Sequence, residues 1–135
     1  MAYKIDEIEG IGPSYREKLQ AAGIKTTDDL LSQCAKPAGR KSIADSTGLS
    51  EKHILGWTNM ADLMRVSGIG RQYAELLEAS GVDTIKELRN RNAENLASKM
   101  NEVNAEKKLA KSTPAQSIIE NWIAQAKTTD PLIEY

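Results

Sequence analysis

Apolar residues recur at helical spacing along most of this chain. Tyr15, Leu19 and Ala22 share one face by i, i+4, i+7 spacing, and Tyr73, Leu77 and Ser80 repeat the arrangement. Ile118, Ile119, Trp122, Ile123 and Ala126 form one stripe, which predicts a buried closing helix. A helix containing Ile5 and Ile8 is expected near the N-terminus, and a longer one over Glu51–Val66. Gly23 and Gly81 stop the helices before them, since glycine takes the left-handed C-terminal conformation without a Cβ clash. Thr26 with Asp29, and Thr84 with Glu87, are Thr-x-x-acid starts for the next helices. Ser50 is placed to cap the helix at Glu51, and Thr113-Pro114-Ala115-Gln116 combines a Thr cap with Pro at the first helical position. Thr128–Tyr135 has no periodicity and is expected as a flexible tail, with Leu132 and Ile133 available for docking.

The pattern is duplicated. Residues 8–30 align without a gap on residues 66–88, and ten of 23 positions are identical. The identities include Gly10/Gly68, Ile11/Ile69, Gly12/Gly70, Tyr15/Tyr73, Gly23/Gly81 and Thr26/Thr84, which chance does not keep in register. Downstream, Trp57 corresponds to Trp122 at an offset of 65 rather than 58, so the second repeat carries about seven extra residues, expected in Asn101–Ser112. The expected architecture is all-α: two fused units over 1–65 and 51–127 that share the helix 51–66, with a tail over 128–135. About nine or ten short helices packed as one rigid body are expected.

Composition narrows this further. Three Val and no Phe disfavour a sheet, while abundant Ala, Leu, Glu and Lys favour helix. Lys plus Arg number 18 and Asp plus Glu 19, divided 9 and 9 over residues 1–65 and 9 and 10 over 66–135, so neither half is a basic domain. Two Trp and four Tyr are too few for a binder that stacks base after base. One cysteine, Cys34, excludes an internal disulfide and a cysteine-based zinc cluster. No apolar run has the roughly 20 residues of a membrane span, and no secretory leader is apparent, so a soluble cytoplasmic protein is expected.

Each repeat places Gly-Ile-Gly between two helices. Glycines let the chain reverse in few residues, the central Ile points into the core, and the next helix begins with exposed backbone N–H groups. Such a helix start attracts anions, and a side chain there would hold a phosphate away from the backbone.

Gly10-Ile11-Gly12-Pro13 and Gly68-Ile69-Gly70-Arg71 resemble the Gly-h-Gly hairpin of the helix-hairpin-helix (SAM-like) family. Residues 42–65, with Ile43-Ala44 and Thr47-Gly48-Leu49-Ser50-Glu51-Lys52, are similar to the small N-terminal helical domain of archaeal recombinases. Two such units in tandem, over roughly residues 3–127, resemble a bacterial domain family without known function. The resemblance implies non-sequence-specific binding to the DNA backbone in many members, a structural or protein-interaction role in others, and often a monovalent cation on the hairpin carbonyls.

On this reading the nucleic-acid-binding residues are Gly68, Ile69, Gly70, Arg71, Arg65 and Gln72 at the second hairpin, with Gly10, Gly12 and Lys18 at the first. The first hairpin is the poorer site, because Asp6, Glu7 and Glu9 precede it and repel phosphate. Duplex DNA would be bound weakly and salt-dependently. The alternative is a protein-interaction or assembly module with purely structural hairpins. Tyr15, Tyr73, Trp57 and Trp122 are read as core residues, Cys34 as a buried small hydrophobe, and His53 as an exposed or capping residue. No phosphate loop, metal-ligand cluster or nucleophile–base pair is present, so no enzyme is expected.

Overall fold

A computed structural model describes residues 2–135 and is all-helical. A 3-10 turn at Ile5–Glu7 is followed by α1 (Pro13–Ala21), α2 (Thr27–Cys34), α3 (Pro37–Thr47) and α4 (Glu51–Leu63). The second half runs α5 (Arg71–Ala79), α6 (Ile85–Leu88), α7 (Ala93–Lys107) and α8 (Gln116–Thr128). The order of elements thus repeats as the duplicated sequence does, with the Gly-Ile-Gly turns opening α1 and α5.

Local chemistry sets most of the helix starts. Thr26 Oγ1 accepts from the Asp29 N–H at 3.1 Å while Asp29 Oδ2 accepts from the Thr26 N–H at 3.1 Å, a complete capping box. Thr84 Oγ1 accepts from Glu87 N–H and Ser50 Oγ from His53 N–H, as the sequence predicts. In the second box the Glu87 carboxylate pairs with Arg91 instead. Gly23 and Gly81 lie at φ +87° and +94° and end α1 and α5.

Four expectations are corrected. Ile5 and Ile8 do not lie in an α-helix. The main chain there pairs with residues 25–27 (Ile5 N–H to Lys25 O, Thr27 N–H to Tyr3 O), which leaves room for one 3-10 turn. The long helix ends at Leu63 rather than Val66, because Arg65 N–H bonds Asp62 O and Val66 N–H bonds Leu63 O in a tightened last turn. Thr113 does not cap α8. Pro114 is buried, the chain stays extended through Ala115, and α8 starts at Gln116 without a side-chain cap. Ile118 is 48% exposed, since Ile119, Trp122, Ile123 and Ala126 already fill the inward stripe of α8. The added length of the second repeat is shared between α7 and the loop after it, over residues 108–115.

Helices α2, α3 and α4 pack on one another in the first half, and α7 packs on α5 and α8 in the second. Helix α4 also contacts α5. Buried side chains of both halves form one continuous apolar cluster, from Ile5 and Leu30 through Ile54 and Leu63 to Leu77, Met100 and Trp122. Cys34 lies fully inside it. No described helix is long and apolar enough to cross a membrane.

The segment expected to be a loose tail is tied down through its main chain. Arg89 donates to Ala126 O and Thr129 O, Arg65 to Asp130 O, and Arg40 to Glu134 O. Glu134 N–H bonds Ala35 O at 2.8 Å and Tyr135 Oη reaches Asn59 Oδ1 at 3.3 Å. Leu132, offered by the sequence as an anchor, is exposed.

Candidate functional site

The two Gly-Ile-Gly turns have the same geometry. Gly10 and Gly68 lie at φ +95° and +97°, a region L side chains avoid. Ile11 and Ile69 point into the core, and each donates its N–H back three residues, to Ile8 O and Val66 O. Behind each turn stands a tryptophan from the last helix of its repeat. A Cβ on Gly10 would lie 3.6 Å from Trp57 Nε1, and one on Gly68 only 3.0 Å from Trp122 Nε1. Tyr15 and Tyr73 complete the support, with ring centroids 5.1 and 5.4 Å from Trp57 and Trp122. His53 is exposed and stacks on Trp57.

The second glycine of each turn differs. Gly12 and Gly70 are the N-cap residues of α1 and α5, at φ −89° and −99°, which any residue adopts. No atom beyond the adjoining residues lies within 4 Å of where their Cβ would stand. Neither cap bonds the helix through a side chain. The first intrahelical bonds are Arg16 N–H to Gly12 O and Ala74 N–H to Gly70 O, both 2.9 Å. The N–H groups of Ser14 and Tyr15 in α1, and of Arg71, Gln72 and Tyr73 in α5, precede those bonds and have no carbonyl of their own helix to meet. Pro13 takes one such donor from the first turn; the second keeps all three.

The fold brings the two turns together. Arg71 Nε, at the start of α5, donates to Glu9 Oε2 at 2.5 Å, immediately before Gly10. Burial pushes the Glu75 carboxyl above its ordinary range; the like charge of Glu9 adds to this and Arg71 opposes it. Glu9, Arg71 and Glu75 therefore share one neighbourhood at the junction of the repeats.

The other residues named from the sequence are distributed less favourably. Gln72 is exposed on the first turn of α5. Arg65 is not free beside the second hairpin: its Nη1 bonds Asp62 Oδ1 and Asp130 O, both at 2.9 Å. Lys18 is exposed near the C-terminal end of α1, about 9 Å along the axis from Gly12. Arg40, close in sequence to Lys36 and Lys41, is 5% exposed and serves carbonyls of residues 34, 35 and 134. Two contacts at the turns escape a reading of the sequence. One is the Glu9–Arg71 pair. The other is Gln125, whose amide accepts from Ser67 N–H and donates to Ser67 O, clamping the second turn to α8.

Among the described residues no group of three or more His, Cys, Asp or Glu side chains is placed to hold a metal ion. No curated protein and no solved structure matches the chain. One family model does, over residues 9–129, which takes in both turns and all eight α-helices. The chain therefore belongs to the family described as a domain of unknown function, DUF4332.

Proposed function

We propose that this protein binds the phosphate backbone of duplex DNA through its two Gly-Ile-Gly turns, acting as a helix-hairpin-helix module without reading base sequence. The observation that carries this reading is the glycine at positions 12 and 70. The backbone there does not require glycine, and the fold leaves open space where a side chain would stand. A ligand that must approach the helix N-terminus closely accounts for both. Gly10 and Gly68 have a conformational reason to be glycine and carry no such weight.

The second turn is the stronger element. It presents the N–H groups of Arg71, Gln72 and Tyr73, with the Gln72 amide beside them, where the first turn has Pro13. Phosphate contacts through main-chain donors position a duplex and carry no sequence information. Ile69 serves by fixing the turn from below, not by touching the ligand. With Arg65 and Arg71 engaged elsewhere in the protein, few cations meet phosphate, so affinity is low and the salt slope shallow.

The test is a binding titration with labelled duplexes of unrelated sequence at about 50 mM salt. Wild type binds them all equally. Gly70→Asp caps α5 with its own carboxylate and repels phosphate, so it raises the melting temperature slightly yet weakens binding at least about tenfold. No binding by wild type, or unchanged binding by Gly70→Asp, overturns the reading.

A further inference from the structure

The contact between Glu9 and Arg71 joins residues 62 apart in sequence, and it bridges the two turns rather than supporting either one. It is not a product of the duplication. At the repeat offset the counterpart of Glu9 is Ser67 and that of Arg71 is Pro13, so no second copy of the pair exists. Both side chains are about half exposed, at 50% for Arg71 and 43% for Glu9, and a surface pair of this kind adds little to fold stability. Yet its position is specific. Arg71 is the first residue of α5, directly after the N-cap Gly70, and the carboxylate that meets it comes from the residue before Gly10.

A carboxylate and a phosphate offer a guanidinium the same acceptors. We infer that Glu9 is a built-in phosphate surrogate: it holds the Arg71 guanidinium at the mouth of the second turn and yields it to a DNA phosphate on binding. This rests on the proposed DNA-backbone function and adds a regulating residue to it. Glu9 sets the affinity in two ways, by occupying the one arginine at the turn and by placing a negative charge beside the incoming phosphate. Glu75 supplies a second carboxylate in the same neighbourhood, from the face of α5 itself. Displacing the surrogate exchanges one ion pair for another, so the arginine contributes only the difference between them. A partner or a solution condition that draws Glu9 away therefore tightens DNA binding without any rearrangement of the helices.

Duplex binding by the full chain, measured over a series of salt concentrations, tests this. Glu9→Gln tightens binding about fivefold and steepens the log–log salt slope by about one, because Arg71 then reaches phosphate without first giving up an internal ion pair. In an Arg71→Gln background the same Glu9→Gln change gains less than about twofold. Melting temperatures of all three variants stay close to wild type, since the pair is exposed. An equal gain in both backgrounds reduces Glu9 to a diffuse charge and overturns the inference. No gain from Glu9→Gln, in a protein whose binding Gly70→Asp abolishes, also overturns it and leaves the DNA reading standing. Unchanged binding by Gly70→Asp removes that reading and the inference with it.

Discussion

Asp62 Oδ2 accepts a 2.8 Å hydrogen bond from the Ile85 N–H, so a carboxylate on α4 completes the start of α6. Its other oxygen takes Arg65, and the side chain is 2% exposed. In the first repeat the corresponding N–H, that of Thr27, is met by Tyr3 O. The second repeat is entered from α4 rather than from an extended segment, and the Asp62 carboxylate takes the place of that main-chain acceptor. Asp62→Ala leaves the Ile85 N–H unmet and Arg65 with Asp130 O alone, and is expected to cost about 3 kcal/mol in urea unfolding. Asp62→Asn keeps an acceptor and is expected to cost about half as much.

Alanine substitution separates the two glycines of the second turn. At Gly68 the new Cβ meets the Trp122 ring at 3.0 Å with φ at +97°, and thermal unfolding is expected to show a loss of about 2 kcal/mol. At Gly70 the space is open and φ is ordinary, so the change stays within about 0.5 kcal/mol. Equal losses at both positions would show that the fold itself needs Gly70.

Much of this structure is legible in the sequence wherever an interaction is local. The capping partners of Thr26, Thr84 and Ser50 lie three residues away, and each was predictable from spacing alone. Register in the duplicated segment also locates the inward Ile11 and Ile69, and the likeness downstream of it pairs Trp57 with Trp122. What the sequence hides is the fate of its arginines. Arg65 and Arg71 look alike as free cations beside the second turn, yet each has a partner far along the chain, 65 and 62 residues away, and so has Arg40, 94 residues away. Tertiary geometry alone decides which of them remains at the turn face. The order of the tail is hidden for the same reason: its bonds run through main-chain atoms, which leave no side-chain pattern.

The arginine latches predict where protection is lost. Arg40→Met removes the donor that spans α2 and Glu134 O, and amide exchange at Glu134 is expected to accelerate at least about tenfold. Exchange in α5 should stay unchanged, since no latch reaches it. Acceleration spread evenly over both repeats would instead indicate global destabilisation.

Burial pushes the Cys34 thiol up to about 11, with Arg40 opposing only in part. Little thiolate exists near neutral pH, and the side chain is fully covered. Iodoacetamide at about pH 8 is expected to leave the native protein unlabelled and to modify it readily in denaturant. Fast native labelling would show that the α2–α3 region opens easily.

Asp29 gives the first repeat a definite pH response. The Lys25 N–H bond, followed by that of Thr26, lowers its pKa below the ordinary carboxylate value. A carboxylate depressed in the folded state stabilises fully above its unfolded pKa and loses that contribution as pH falls through the folded one. Thr26→Ala is expected to cost about 1 kcal/mol at neutral pH. Asp29→Asn should flatten the stability profile below about pH 4, where wild type weakens. An unaltered acid limb would place the response on other carboxylates.

The last helix holds the second turn from two sides, with Trp122 behind Gly68 and Gln125 on Ser67. The first turn takes its tryptophan from α4, in mid-chain. During synthesis the first turn can be finished once residue 57 has left the ribosome, whereas the second must wait until residue 125 has emerged. The turn that keeps all three unpaired N–H groups is thus completed last, so a nascent chain remains without it until α8 has been made.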